Sequence, residues 1–135
     1  MSTLTVDAER DLVWHHQRGQ LDLAVGNYGG SNLSVLLGNG LGGFGAAIHF
    51  AVAAAPYSLA VADLNGDQKP DFAVVGPNGT NVNVFLGDGT ADFGAPKNFA
   101  AGMLPSSVVV GDWDGDRKLD LAVANLADGT LSLLR

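Results

Sequence analysis

Two short segments carry acidic and amide side chains at alternate positions, an arrangement suited to binding a calcium ion. In each segment, side-chain oxygens occupy positions 1, 3, 5 and 9 of the loop, and position 7 is a lysine whose backbone carbonyl can add one more oxygen. Calcium takes about 6–8 oxygen ligands in flexible geometry. We therefore predict two calcium ions per chain. The predicted ligands are Asp63, Asn65, Asp67, Lys69 and Asp71 in the first segment, and Asp112, Asp114, Asp116, Lys118 and Asp120 in the second.

Turn formation and magnesium binding are the two alternatives to calcium in these segments. Clusters of Asp, Asn and Gly form tight turns without any metal. Magnesium uses the same kind of ligand, but it fits less well because it demands near-octahedral geometry and usually retains several waters. An EF-hand loop is excluded, because its position 12 holds Val74 or Val123 where a bidentate glutamate would be required. Because both copies keep the acid at position 9, we favour calcium.

A third copy of the segment, nearer the N-terminus, has lost most of these oxygens. Only Asp22 remains of the predicted ligands, and Arg18 would place a cation where the ion should bind, so no calcium is expected there. The adjacent His15 and His16 are only a weak indication of a transition-metal site. The residues at the positions of the lost ligands are Trp14, His16, Arg18 and Gln20.

Composition and charge narrow the class of protein. The chain of 135 residues is 47% hydrophobic and 16% charged, with 19 glycines, which is typical of a folded domain and not of a disordered one. Its formal net charge of −7 disfavours nucleic-acid binding, which needs clustered lysine and arginine. There are no cysteines, which excludes disulfides and thiolate metal sites. No apolar run is long enough to predict membrane insertion.

The metal segments recur within an internal repeat of about 49 residues. Within one period, runs of Val, Phe and Leu alternate with Gly, Asn, Asp and Pro clusters, which is the pattern of short strands joined by turns. In the central period we predict strands over 58–62, 71–76 and 82–86 and a more polar strand near 96–101. The first two are apolar on both faces, as expected for strands buried between neighbouring sheets.

The repeat predicts an all-β fold built from four-stranded antiparallel blades of a β-propeller. We expect one repeat domain over residues 1–135, with blades at about 8–53, 57–102 and 106–135, and residues 1–6 supplying a closing outer strand. About three blades cannot close a ring, since propellers have about 4–8. We therefore prefer a homodimer that forms a six-bladed ring. A fragment of a longer propeller and a solenoid of stacked hairpins are the alternatives.

These motifs resemble the FG-GAP and VCBS repeats of integrin α-subunit propellers and bacterial surface proteins. The resemblance rests on the two Asp segments, each followed by an apolar strand, and on the Phe44-Gly45 and Phe93-Gly94 pairs. It implies a calcium-binding β-propeller that acts in adhesion or ligand binding, in a secreted or cell-surface protein, although the first residues do not form a signal peptide. Members often carry glycine at loop position 6, where this chain has Gln68 and Arg117.

Three functions are compatible with these residues. The first is a binding module in which calcium is structural and the surface contacts a protein or a glycan. The second is a calcium-dependent hydrolase of lactonase or phosphoesterase type, for which the candidate bases are His15, His16 and His49. The third is a structural part of a longer surface protein. Aromatic side chains that could stack on sugars, but for which packing between blades is favoured, are Tyr28, Tyr57 and Trp113.

Overall fold

The fold was determined from a computed structural model, which describes residues 10–15, 20–53 and 55–135, with the backbone alone for residues 10–15. Over these ranges the chain contains no α-helix and forms three antiparallel sheets. No helix in the described part of the chain is long and apolar enough to span a membrane. The predicted closing strand at residues 1–6 and the loop residues His16 and Arg18 lie outside the described residues.

Each sheet is a meander in which consecutive strands pair with each other. A short 3-10 turn at Tyr28–Gly30 joins the second and third strands of sheet 1. Sheet 1 contains β1 (Arg10–His15), β2 (Leu21–Asn27), β3 (Asn32–Leu36) and β4 (Ile48–Ala51). Sheet 2 contains β5 (Ser58–Ala62), β6 (Asp71–Val75), β7 (Asn81–Phe85) and β8 (Lys97–Ala100). Sheet 3 contains β9 (Pro105–Gly111), β10 (Asp120–Asn125) and β11 (Thr130–Leu134).

The strands of the central repeat fall within one residue of their predicted limits. β5 has the predicted bounds, β6 ends one residue earlier than expected, and β7 is displaced by one residue toward the N-terminus. The reason is the same in each case. Short apolar runs form the strands, and the Gly, Asn, Asp and Pro clusters between them turn the chain.

Sheet 2 is packed between the other two sheets, and β6 carries apolar side chains to both of them. Phe72 and Val74 belong to a core shared with sheet 1, whereas Ala73 and Val75 belong to a core shared with sheet 3. All five residues of β6 are buried. This explains why the strand is apolar throughout, since a strand covered on both faces has no polar side.

The first strands of the sheets lie nearest to one another. β5 contacts β1 on one side and β9 on the other, and the Val108 backbone N–H donates a 3.2 Å hydrogen bond to the Ser58 hydroxyl. No comparable contact joins β4 to β8, although both strands are described. Sheets that meet through their first strands and pack face to face are consistent with propeller-like repeats.

Candidate metal centres

The first Asp loop connects β5 to β6 and is closed by its own carboxylates. Asp63 accepts hydrogen bonds from the backbone N–H groups of Gly66, Asp67 and Gln68, at 2.7, 3.0 and 2.7 Å. The Asn65 side-chain oxygen accepts a further bond of 2.9 Å from Asp67 N–H. The polar side chains of the loop therefore turn inward, because each one caps a backbone donor a few residues ahead.

The second Asp loop connects β9 to β10 and repeats this arrangement. Asp112 accepts bonds from the N–H groups of Gly115 and Arg117, at 2.7 and 2.9 Å. Asp114 accepts from Asp116 N–H at 3.1 Å. One carboxylate oxygen from each of the three aspartates lies within 4.8 Å of the others. This spacing, with oxygen donors alone, is chemically suited to a hard divalent cation.

The acid at position 9 sits at the base of each loop. In the first loop, Asp71 is fully buried and accepts bonds from Leu64 N–H at 2.9 Å and from Gly87 N–H at 2.8 Å. Burial raises the pKa of the Asp71 carboxyl, the negative charges of Asp67 and Asp63 raise it further, and the two backbone bonds oppose the rise. A bound cation would lower that pKa, because it stabilises the carboxylate form.

The lysines at position 7 direct their side chains to the acid at position 5. Lys69 Nζ lies 3.8 Å from Asp67, and Lys118 Nζ lies 3.2 Å from Asp116. Hydrogen bonds from the Lys118 backbone and side chain lower the pKa of the Asp116 carboxyl. Arg135 contacts Asp114 at 3.7 Å. The predicted role of the two lysine carbonyls as metal ligands stays a prediction.

Position 6 of both loops has a left-handed backbone. The φ angle is 65° at Gln68 and 68° at Arg117, a region that residues other than glycine adopt at a cost. In both loops, the residue that replaces the glycine common in FG-GAP and VCBS repeats therefore occupies a position where glycine would relieve backbone strain.

Comparison with known proteins agrees with the loop-and-strand pattern. A family model described as an FG-GAP-like repeat matches residues 17–74 and again residues 63–123, which together span residues 17–123 without a break. The chain belongs to the FG-GAP-like repeat family. Searches of curated proteins and of solved structures found no match. Membership establishes a β-propeller-like repeat module.

The first of the three 49-residue repeats, which contains sheet 1, retains only Asp22 of the loop acids. Compared with β5 and β6, β1 continues for two more residues and β2 for one, with the register displaced by one residue, so that Trp14 pairs with Asp22 and His15 with Leu21. Loop positions 1 and 2 have therefore become part of the sheet. Asp22 keeps its place, is buried and accepts a 2.8 Å bond from Gly38 N–H, but its second oxygen has no partner among the described residues.

In sheet 1, a contact that the sequence did not predict joins a histidine to a serine. His49 Nδ1 lies 3.0 Å from the Ser34 hydroxyl, which also accepts a 2.7 Å bond from Asn27. A base beside a hydroxyl could indicate a nucleophile, but Ser34 is buried. In the next repeat the same two positions hold Asn83 and Asn98, which are joined by a 2.8 Å hydrogen bond. The position is thus a polar link between third and fourth strands, visible in sequence only as a polar residue within an apolar strand.

The three aromatic side chains considered for sugar stacking have different surroundings. Tyr28 and Tyr57 meet edge to face, with ring centroids 6.2 Å apart. Trp113 covers Gly111, where an added Cβ would approach the indole to 2.9 Å, yet 49% of the Trp113 side chain is exposed. Trp113 thus offers an exposed aromatic surface beside the second Asp loop.

Proposed function

We propose that the chain is a calcium-stabilised, β-propeller-like module that presents a binding surface to a protein or a glycan. The main support is the cluster formed by Asp112, Asp114 and Asp116, whose carboxylate oxygens lie within 4.8 Å of one another. Carboxylates at this separation repel each other, and Lys118 and Arg135, which contact Asp116 and Asp114, do not offset all three charges. Each carboxylate has about four lone-pair sites, so the backbone bonds that these aspartates accept leave capacity for a metal.

The calcium ion in this proposal is structural. It would be held by the side-chain oxygens at positions 1, 3, 5 and 9 of each loop, and in the second loop it would neutralise the clustered acids Asp112, Asp114 and Asp116. The loops connect β5 to β6 and β9 to β10, so the ion would tie together the first two strands of sheets 2 and 3. A bound ion would make the two Asp loops rigid, and these rigid loops would form part of the surface that binds the ligand.

Thermal unfolding with and without calcium tests the proposal. A ligand that binds only the folded state stabilises it by about 2.7 kcal/mol at 100 times its Kd, which raises the Tm of a domain of this size by roughly 10 °C. We expect the Tm to fall by several degrees when calcium is replaced by a chelator, and metal analysis to give two calcium ions per chain. Identical melts in the two conditions would contradict calcium binding.

A substitution in one loop separates metal loss from general damage. Asp112→Asn retains an oxygen that can accept a hydrogen bond but removes the charge. We expect the metal content to fall from about two ions per chain to about one, with a smaller calcium-dependent rise in Tm. Asp92→Asn is the matched control, because Asp92 is exposed and lies outside both loops. Its metal content should equal that of the unaltered chain.

Trp113 supports a glycan as one ligand class. An exposed aromatic ring next to a cation-binding loop can stack on the apolar face of a sugar. A glycan array with the calcium-loaded chain should give signals that decrease with Trp113→Ala. If no glycan binds, a protein is the remaining proposed ligand. The metal content is a separate measurement and tests calcium binding in either case.

We further propose that two chains associate through sheet 3, in the six-bladed arrangement that the repeat count suggests, with residues 1–6 as a closing strand. The support is an exposed apolar face made by Val109, Leu131 and Leu133. Leu33 and Val82, the counterparts of Leu131 in the first two repeats, are fully buried against the next sheet. In a ring this face would meet the outward side of sheet 1 in the second copy.

A further inference from the structure

A polar cavity of about 460 Å³ opens at the end of sheet 2 that lies opposite the first Asp loop. Pockets of about 300–1,000 Å³ are the usual size for small-molecule sites. The cavity is lined by the turn that joins β6 to β7, by the start of β7, and by the connections that lead into β5 and β9. Each of these segments joins or belongs to strands that are paired in the structure, so the cavity is a feature of the folded repeat.

The cavity coincides with the loss of one side chain from the repeat. The residue at the end of the second strand is Asn27 in sheet 1 and Asn125 in sheet 3, whereas the corresponding residue of sheet 2 is Gly76. In sheet 1, Asn27 Nδ2 donates hydrogen bonds to the side chains of Asn32 at 2.6 Å and Ser34 at 2.7 Å. This asparagine therefore ties the end of the second strand to the third strand.

Sheet 3 repeats this arrangement with its own asparagine. Asn125 Nδ2 donates to Thr130 at 3.2 Å and to Ser132 at 2.8 Å, and Asn125 Oδ1 accepts a 3.0 Å bond from Gly102 N–H in the connection from sheet 2. Because Asn125 is buried, the fold accommodates an asparagine side chain at this position.

Glycine at this position leaves sheet 2 without these bonds. Asn83, which is 5% exposed, accepts a 3.3 Å bond from Ala53 N–H and donates a 2.8 Å bond to Asn98. Its amide nitrogen carries a second hydrogen that this bond does not use. Asn81, the counterpart of Asn32, makes no side-chain hydrogen bond within the described part of the chain. The cavity therefore contains amide groups with unused hydrogen-bonding capacity.

The hydrogen-bonding side chains of the cavity are neutral, and each can both donate and accept. They are the amides of Asn78, Asn81 and Asn83 and the hydroxyl of Thr80. Among the described residues that line the cavity, none is charged. The remaining side chains are small or apolar, and the largest of them are Pro77, Met103 and Leu104.

Sheet 3 holds the apolar wall of the cavity in place. Met103 N–H donates a 2.7 Å bond to the Asp128 carboxylate, and the Leu104 carbonyl accepts a 2.9 Å bond from Leu126 N–H. The Met103 side chain is 57% exposed, so it offers apolar surface on a fixed backbone. Apolar surface beside a few fixed polar groups is the usual composition of a small-molecule site.

We propose that this cavity binds a neutral saccharide. The hydroxyls of a pyranose ring donate and accept hydrogen bonds, which matches the amides and the hydroxyl of the cavity. The C–H groups of the ring can pack against the methionine and leucine side chains. An anionic ligand would leave its charge unpaired among these residues, which is costly.

The saccharide site is separate from the Asp loops. Leu104 precedes β9 and Trp113 follows it, and the seven residues of that strand span roughly 23 Å. The proposal shares the glycan ligand class with the proposed function, but it requires neither calcium nor Trp113. The two proposals can therefore fail independently.

NMR titration of the full chain with simple sugars tests the saccharide site. The probes are methyl glucoside, methyl galactoside and methyl mannoside, each compared with the methyl uronide that carries a carboxylate at C6. We expect saturable shifts of the Asn81 and Asn83 side-chain amide signals with at least one neutral sugar, at a Kd of the order of 1 mM for a ligand of this size. Its uronide should bind about tenfold more weakly. Saturation with none of the three neutral sugars, or equal binding of the uronide, would overturn the proposal.

Restoring the missing asparagine locates the site. Gly76→Asn gives sheet 2 the side chain that sheets 1 and 3 carry, so it should fill the cavity and weaken sugar binding about tenfold, while the Tm stays equal or rises. Gly29→Asn is the matched control, because an added Cβ there meets nothing within 4 Å, and it should leave binding unchanged. Sugar binding that is undiminished in Gly76→Asn would refute this location.

Two further substitutions separate this site from the Asp loops. Asn81→Ala removes an exposed amide of the cavity and should weaken sugar binding about fivefold, the effect of losing one hydrogen bond. Trp113→Ala should leave binding of these sugars unchanged. A loss of binding in Trp113→Ala with none in Asn81→Ala would assign the sugar to the Asp-loop end and refute the cavity, whereas a chain without calcium would contradict only the proposed function.

Discussion

The aspartate at loop position 9 has a structural role that does not require a metal ion. Asp71 joins Leu64 N–H at the start of the loop to Gly87 N–H at the end of the third strand. Asp22 makes the corresponding bond to Gly38, although its repeat has lost the remaining predicted ligands. The survival of Asp22 is therefore explained by the backbone link, since a buried N–H without an acceptor is costly.

Replacing loop position 6 by glycine should stabilise the chain. Gln68 has a φ of 65°, and a left-handed residue other than glycine costs of order 1–3 kcal/mol, while the added flexibility of glycine costs about 0.5–1 kcal/mol. We therefore expect Gln68→Gly to add about 1 kcal/mol to the free energy of unfolding, measured by denaturant titration in chelator.

Lys97→Gly provides the comparison for that substitution. Lys97 is exposed on β8 and does not have a positive φ, so glycine there should remove about 0.5–1 kcal/mol. If Gln68→Gly destabilises the chain as much as Lys97→Gly does, the loop does not store strain at this residue.

At the scale of elements, the sequence predicts the strands well and the contacts between sheets less well. Short apolar runs and glycine-rich turns place β5 to β8 within a residue or so, because both signals are local. The extension of β1 and β2 through Trp14 and His15 was not predicted, since it depends on the absence of the metal ligands. Nor does the Phe-Gly motif reveal that the ring of Phe93 packs against the preceding sheet, because that contact is tertiary.

Residue 87, where the chain leaves β7 and passes close to the first Asp loop, must be glycine. A Cβ on Gly87 would lie 2.1 Å from the Pro70 backbone oxygen and 3.0 Å from the Phe93 ring, so the strand and loop would have to separate. Gly87→Ala should therefore lower the free energy of unfolding by about 1–3 kcal/mol or more, as overpacking does. It should also reduce calcium-dependent stabilisation, because Asp71 loses its donor. Chemical denaturation with and without calcium measures both effects.

Gly29→Ala is the matched control for Gly87→Ala. An added Cβ at Gly29 would meet nothing within 4 Å, and its φ is not positive. This substitution should change the free energy of unfolding by no more than about 0.5 kcal/mol. Similar losses at the two glycines would show that backbone flexibility, and not close approach, sets their cost.

At the scale of the whole molecule, each sheet is apolar on the face that meets the next sheet. On sheet 1 that face is covered by sheet 2, and on sheet 2 it is covered by sheet 3. On sheet 3 it is bare, with Leu131 68% and Leu133 44% exposed. The opposite side of sheet 1 is less open, since Leu21 is exposed but Val25 and Leu36 are already buried. In the proposed dimer, the drive for association would therefore lie mainly in sheet 3.

A charge on the bare face should prevent this association. We expect the unaltered chain to have the molar mass of a dimer by light scattering, and Leu131→Asp to be a monomer, because a carboxylate cannot be buried unpaired at little cost. Leu126→Asp is the control: Leu126 is 73% exposed and lies in the turn between β10 and β11, outside the face, so its dimer should persist. A monomeric unaltered chain, or a dimer that survives Leu131→Asp, would mean that sheet 3 does not mediate association and that the repeat count alone is no reason to expect a closed ring.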